Sequence, residues 1–135
     1  MESRTVSNAT LLTGRVMLAA MFIMAGFSKI GAYDGTAAYM ESFGLPALLL
    51  PAVIALEIGG GLAILAGLQT RLASILLAGF TLLATLIFHS DFSQPMQSIL
   101  FSKNVAIIGA FLLLFAHGPG EWSLGSLKLS RRAAA

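Results

Sequence analysis

Residues 53–68 read Val-Ile-Ala-Leu-Glu-Ile-Gly-Gly-Gly-Leu-Ala-Ile-Leu-Ala-Gly-Leu, an apolar stretch with one carboxylate, Glu57. With the apolar residues that precede it, this stretch is long enough to cross a bilayer, which takes about 20 residues. A charge at the centre of a membrane helix costs about 2.5–3.5 kcal/mol on insertion scales, so it normally has a partner or a function. We therefore expect the fold to be organised around whatever lies opposite Glu57.

The composition is that of a polytopic membrane protein. Of the 135 residues, 57% are hydrophobic and 10% are charged, and the mean hydropathy is +0.88. Soluble domains are typically about 45–50% apolar and about 25% charged. We predict one all-α domain over residues 1–135, a four-transmembrane-helix bundle in contact with the lipid bilayer. The absence of Cys excludes disulfides, a thiol nucleophile and Cys-ligated metals. The net charge of +2 does not imply nucleic-acid binding, because the few basic residues of so apolar a chain are expected to set its topology in the membrane.

Four spans separated by two long connections and one short turn account for nearly the whole chain. A polar lead-in is predicted over residues 1–9, and the turn 69–71 makes the second and third spans antiparallel neighbours. We place the four spans at about residues 10–30, 47–68, 72–89 and 99–117.

Proline and glycine predict where the connections turn. Residues 33–35, Tyr-Asp-Gly, predict a turn before a short interfacial helix over residues 36–43, with Tyr39 and Phe43 on one side. Pro46 suits a first helical turn, and Pro51 predicts a kink or a 3₁₀ start. Pro95 is expected to break any helix in the second long connection, and Gly118-Pro119-Gly120 are expected to end the fourth span.

The distribution of Lys and Arg predicts the orientation in the membrane. The two long connections contain only Lys29 and Lys103. The remaining basic residues lie at the N-terminus, in the turn and in the tail: Arg4, Arg15, Arg71, Lys128, Arg131 and Arg132. Because basic residues favour the cytoplasmic side, we predict that both termini are cytoplasmic.

One face of the first span carries two cations and is a candidate to face Glu57. Helical spacing places five residues on this face: Arg15, Ala19, Phe22, Gly26 and Lys29. The cations either extend to the nearer interface or turn inward. If they turn inward, we expect Arg15 before Lys29 to pair with Glu57, because guanidinium binds a carboxylate bidentately. Gly59 to Gly61 have no side chains, which allows a helix or a flat ligand to approach closely. The alternative to a ligand is that Glu57 and its cation form a purely structural buried pair, with the glycines serving only helix packing.

A second group of polar residues is expected at the outer mouth of the bundle. Ser74, Thr81, Thr85 and His89 share a face of the third span, and Ser74 is expected to bond its own i−4 carbonyl. We predict a polar pocket that opens outward, with Glu57 and Arg15 deepest. Its ligand-binding residues would be Arg15, Lys29, Glu57, Gly60, Gly61, Thr85, His89, Asp91, Lys103 and Asn104. His89 and Asp91 lack a third partner, so no metal site is expected.

Several short motifs together resemble the DoxX family over about residues 8–127. They are Arg15 with Phe27-Ser28-Lys29, Leu56-Glu57-Ile58-Gly59-Gly60-Gly61, Gly67-Leu68-Gln69-Thr70-Arg71, His89-Ser90-Asp91-Phe92, Lys103-Asn104 and His117-Gly118-Pro119-Gly120-Glu121-Trp122-Ser123-Leu124. The resemblance implies a multi-pass protein of the bacterial inner membrane. Members take their name from the small subunit of a quinol-linked thiosulfate oxidoreductase, and others are linked to quinone or catechol stress. The family has no agreed catalytic residues.

Three functions remain open at this point. The first is a redox accessory that binds a quinone or a similar aromatic and serves an oxidoreductase partner; it would have no covalently bound cofactor and no electron carrier of its own. The second is a component of a small-molecule transporter, which with so few helices would act as a homodimer held by glycine contacts. The third is a structural or assembly partner without a ligand.

Overall fold

The computed structural model describes residues 1–135 and contains helices and short connections, without strands. A short 3₁₀ turn, Ala47–Leu49, leads directly into the third of six α-helices. The helices are α1 (Glu2–Gly31), α2 (Tyr33–Ser42), α3 (Leu50–Ala66), α4 (Thr70–Phe88), α5 (Pro95–His117) and α6 (Leu124–Ala134). The prediction of an all-α protein is confirmed.

Four of these segments are long and apolar enough to cross a membrane: Glu2–Gly31, Ala47–Ala66, Thr70–Phe88 and Pro95–His117. Many large apolar side chains point outward, among them Leu83 and Leu113, which are 61% and 75% exposed. In water such a surface would be costly, whereas in a bilayer it contacts lipid tails. The protein is therefore a four-helix membrane bundle.

The first span begins earlier than the sequence predicted. α1 starts at Glu2, so the expected polar lead-in over residues 1–9 is wrong as a separate segment. No Gly or Pro interrupts residues 2–13, and the hydroxyls of Thr10 and Thr13 bond the carbonyls of Val6 and Ala9 one turn earlier. The polar residues are thus accommodated within the helix.

Two of the predicted breaks lie elsewhere. The chain bends at Ala32, and residues 33–35 form the first turn of α2 rather than a loop. Pro95 begins α5 instead of interrupting the connection, because a first-turn proline loses no helical hydrogen bond. The 3₁₀ start near Pro51 and the stop at Gly118 are confirmed.

The spans pack as two antiparallel pairs, α1 with α3 and α4 with α5, and α3 also contacts α4. Phe22 of α1 meets Phe111 of α5 at the centre, with ring centroids 5.3 Å apart. Ile64 and Leu77 are completely buried in the same core. The inward face predicted for α1 is confirmed at Arg15, Ala19, Phe22 and Gly26, all of which are buried.

Close contact between α1 and α3 depends on one glycine from each helix. A Cβ atom on Gly26 would lie 2.5 Å from Ile58 Cγ1. A Cβ atom on Gly61 would lie 2.7 Å from Ile23 Cγ1 and 3.3 Å from the carbonyl oxygen of Ala19. The two backbones therefore approach more closely than any larger residue would allow.

Replacing Gly61 with Ala should lower the stability of the bundle. The added methyl overpacks a contact that includes backbone, so we expect a loss of about 1–3 kcal/mol. Thermal unfolding of the purified protein in a neutral detergent would measure it. Gly59→Ala is the matched control, since a Cβ there meets nothing within 4 Å. Equal unfolding temperatures for the two variants would contradict the assignment of Gly61 to the helix contact.

Candidate functional site

The buried carboxylate Glu57 is paired with Lys29 across the α1–α3 contact. Lys29 Nζ donates to Glu57 Oε1 at 2.8 Å. The Glu57 side chain is 4% exposed, whereas that of Lys29 is 29% exposed. The other carboxylate oxygen, Oε2, is buried and has no hydrogen-bond partner. A buried oxygen without a donor is uncommon and costly, which makes this position the strongest candidate site in the bundle.

The predicted pairing of Arg15 with Glu57 is wrong. Arg15 lies near the middle of α1, which is much longer than α3, and in this antiparallel pair it is level with the end of α3 at Ile64 and Leu65. Lys29 lies near the end of α1 and is level with Glu57. The position of each cation along the axis of α1 therefore determines which one pairs with Glu57. The bidentate geometry of guanidinium does not.

Arg15 instead donates to four backbone carbonyls. Its Nε and one terminal nitrogen bond the carbonyls of Ile64 and Leu65 at 3.1 and 3.0 Å. The other terminal nitrogen bonds those of Pro119 and Trp122 at 2.6 and 3.0 Å. Arg15 is 2% exposed and has no carboxylate partner. Ile64 and Leu65 belong to the last turn of α3, where the carbonyls carry partial negative charge and so help to compensate the buried cation.

Side chains of neighbouring helices occupy the space beside two of the glycines that follow Glu57. The space next to Gly60 is taken by Leu77 of α4, and that next to Gly61 by Ile23 of α1. Gly59 faces open space. These contacts correspond to the structural interpretation of the glycine run; a ligand at Gly60 and Gly61 stays a prediction.

A line of hydroxyl groups runs along α4 and ends in a contact with α5. Thr81 and Thr85 donate to the carbonyls of Leu77 and Thr81, and Thr85 Oγ1 also accepts from Asn104 Nδ2 at 2.9 Å. Ser74 was expected to bond its i−4 carbonyl, and this is wrong. Ser74 is completely buried, and its hydroxyl has no partner.

The remaining residues of the predicted pocket bond separately. His89 Nδ1 lies 2.8 Å from Gln97 Oε1, and Lys103 is exposed without an ion-pair partner. Asp91 is exposed and accepts from Ser93, whose hydroxyl and backbone N–H hold the pKa of the Asp91 carboxyl below its usual value. No hydrogen bond or salt bridge links these pairs to Glu57, so their shared role in one pocket stays a prediction.

Aromatic side chains cluster at the end of the bundle from which Lys29 emerges. Tyr39 of α2 stacks on Phe88 of α4 with ring centroids 5.3 Å apart. Phe43 contacts both rings, at 5.0 Å from Tyr39 and 4.9 Å from Phe88. The predicted placement of Tyr39 and Phe43 on one side of the connecting helix is confirmed.

The opposite end of the bundle holds a network that the sequence did not predict. Asn8 Nδ2 donates to Glu121 at 3.0 Å, and its Oδ1 accepts from the Glu121 backbone at 3.1 Å. Arg4 lies 3.4 Å from the same carboxylate. With the Arg15 bonds, these contacts fasten residues 118–123 to α1. The run Gly-Pro-Gly predicted that the helix ends at 118–120, but it did not predict that the following residues pack against α1.

Comparison with known proteins places the chain in a defined group. The family model described as DoxX matches residues 10–90. The chain is 46% identical over 124 residues to inner membrane protein YqjF of Escherichia coli, covering 92% of this chain and 95% of that protein. It is 39% identical over 121 residues to inner membrane protein YphA of the same organism, covering 84% and 86%. Putative oxidoreductase CatD of Bacillus subtilis is 34% identical over 73 residues, 54% of each chain. No solved structure matches.

Replacing Arg15 should destabilise the bundle more than any change to an exposed cation. Arg15→Met leaves four carbonyls without their donor. Each carbonyl that stays inaccessible to water should lower the free energy of unfolding by about 1–3 kcal/mol. Arg15→Lys keeps the charge but not the planar fork, so we expect an intermediate loss. Thermal unfolding in detergent would rank the variants.

Arg4→Gln is the control for this series. Its ion pair with Glu121 joins side chains that are 78% and 58% exposed, and such pairs contribute little. Wild-type stability of Arg15→Met would show that the four bonds are unimportant.

Proposed function

The chain belongs to the DoxX family, and from this we propose that it is an inner-membrane redox accessory that binds a quinone or related aromatic beside Glu57. In this role it serves a partner oxidoreductase as a small membrane subunit. The observation that carries the proposal is the unpartnered, buried Oε2 of Glu57 next to a cation. A relative named putative oxidoreductase supports the redox assignment.

The Glu57–Lys29 pair has the hydrogen-bonding capacity to hold both redox forms of a quinone. Glu57 Oε2 can accept from the hydroxyl of a quinol, because it has no donor within the protein. Lys29 has three N–H donors and uses one on Glu57, so another can reach a quinone carbonyl. A ligand there would satisfy the one buried carboxylate oxygen that the protein leaves unpaired.

Two further features favour an aromatic ligand at this end. The partly exposed side chain of Lys29 gives a ligand in the bilayer a route to the buried carboxylate. The cluster of Tyr39, Phe43 and Phe88 offers ring faces and edges against which another flat ring packs. Because the chain has no Cys, and His89 and His117 belong to opposite ends of the bundle, electrons would pass to the partner through the bound quinone.

Binding of a short-chain quinone and its quinol to the purified protein in nanodiscs would test the proposal. Glu57→Gln removes the charge but keeps an acceptor for Lys29. We expect it to bind the quinol about tenfold more weakly, as for a lost hydrogen bond to a charged group. Glu41→Gln is the matched control, since Glu41 is an exposed carboxylate on α2 with no salt bridge. Unchanged quinol affinity of Glu57→Gln, or no binding by the wild type, would contradict the proposal.

The same samples separate the two alternatives. Substrate flux into proteoliposomes that disappears in Glu57→Gln would favour a transporter. In that case Gly59 and Gly109, which face open space on α3 and α5, are the positions at which a second copy would pack. One stable partner recovered by crosslinking, without any bound aromatic, would favour an assembly role.

We also propose that both termini lie in the cytoplasm. The end of the bundle with the termini contains Arg4, Arg71, Lys128, Arg131 and Arg132, whereas the other end has Lys29 and Lys103. Lys29 is moreover paired with Glu57, which leaves even less positive charge on the outer side.

Reporter fusions would test this orientation. Green fluorescent protein fused after Ala135 should fluoresce, and alkaline phosphatase at the same position should be inactive. Phosphatase fused after Gly44, in the first connection, should be active. Active phosphatase after Ala135 would show the reverse orientation.

A further inference from the structure

A cavity of about 680 Å³ lies at the end of the bundle opposite to the Glu57–Lys29 pair. It is lined by the α3–α4 turn, the segment after α5, and α6. Gly67 and Gly118 line it with φ of 71° and 84°, a backbone conformation that favours glycine. The Glu57 site does not include any of these residues.

The lining of this cavity is basic and contains no acid. Arg71 comes from the beginning of α4, and Lys128 and Arg132 from successive turns of α6. Lys128 and Arg132 are four residues apart and therefore share a face of α6. His117 closes the end of α5. None of the lining residues is Asp or Glu, so no carboxylate neutralises these cations inside the cavity.

The same cavity is lined by hydrogen-bond donors without partners. Thr70 is 3% exposed, and its buried hydroxyl makes no hydrogen bond. The backbone N–H groups of Arg71 and Leu72, in the first turn of α4, donate to no group of the protein. A helix N-terminus carries partial positive charge and offers such N–H groups to anions. Thr70 adds an observation independent of the helix itself, because a buried hydroxyl without an acceptor is costly.

We infer that this cavity is a binding site for a phosphate group. The first-turn N–H groups of α4 and the Thr70 hydroxyl donate to its oxygens, while Arg71 and Arg132 supply charge and planar donors. Phosphate suits the site because it has several acceptor oxygens and takes bonds from a backbone terminus and guanidinium groups together. The group belongs either to the headgroup of an anionic phospholipid or to a small soluble phosphate. Basic pockets at the cytoplasmic ends of membrane helices commonly bind lipid headgroups.

Arg131 is a control that separates the effect of positive charge on α6 from binding in the cavity. Arg131 and Arg132 are neighbours on α6 and both are exposed, but only Arg132 lines the cavity. Arg131→Gln and Arg132→Gln change the net charge equally and differ in whether the replaced residue lines the cavity. Diffuse attraction of a basic helix to an anionic membrane would be affected equally by both.

Native mass spectrometry of the detergent-solubilised full chain would measure binding of phosphatidylglycerol against phosphatidylcholine. Thermal unfolding with inorganic phosphate or glycerol phosphate, at a chloride-matched ionic strength, forms the soluble arm. We expect Arg71→Gln/Arg132→Gln to weaken binding of the preferred probe at least about tenfold, as for lost charged hydrogen bonds. Thr70→Val should weaken it severalfold, and Arg131→Gln should bind like the wild type. Arg132→Gln alone replaces the double variant if the latter does not fold.

Each arm has a defined outcome. Preference for phosphatidylglycerol that depends on Arg132 and not on Arg131 supports the site with a lipid as the source. Stabilisation by inorganic or glycerol phosphate with the same dependence supports the site with a soluble source. Equal losses in Arg131→Gln and Arg132→Gln, or no binding of any phosphate probe by the wild type, would overturn the inference.

Discussion

The structure depends on how a buried charge is satisfied where water is absent. Within a bilayer, every polar group must find its partner inside the protein. Arg15 meets this constraint with four of its five N–H donors, which bond carbonyls from two separate segments. Glu57 meets it for only one of its two oxygens. The contrast separates the two charges by role: the first holds the bundle together, and the second retains the capacity to bind something else.

Much of the fold could be predicted from the chain alone, since hydropathy and helical spacing are local properties. The four spans, the inward face of α1 and the helix stop at Gly118 follow from such patterns. The partners of the charged residues did not follow, because they depend on the axial offset between antiparallel helices. The contacts of Gly26 with Ile58 and of Ile23 with Gly61 set that offset, and it brings Lys29 rather than Arg15 to Glu57.

The candidate site was predicted less well than the fold for a related reason. Glu57 and Lys29 were identified from the cost of charge in an apolar helix, which is visible in any sequence. The basic cavity was not, since its residues come from the α3–α4 turn and from α6, more than fifty positions apart. Nothing local in either segment indicates that they meet. The two ends of the bundle consequently differ in chemistry: towards one lie the half-paired carboxylate and a cluster of aromatic rings, and at the other lies an acid-free group of cations.

The bonds of Arg15 also bear on the order in which the protein is made. Two of its acceptors, Ile64 and Leu65, are synthesised with the second span, but Pro119 and Trp122 emerge only after the fourth. Between completion of the second span and emergence of Pro119, only half of the final acceptors of the guanidinium therefore exist. Once the chain is complete past Trp122, the loop between α5 and α6 supplies the remaining acceptors and binds to the first helix. A ribosome-bound chain that ends before this segment would hold its first span less firmly than the finished protein.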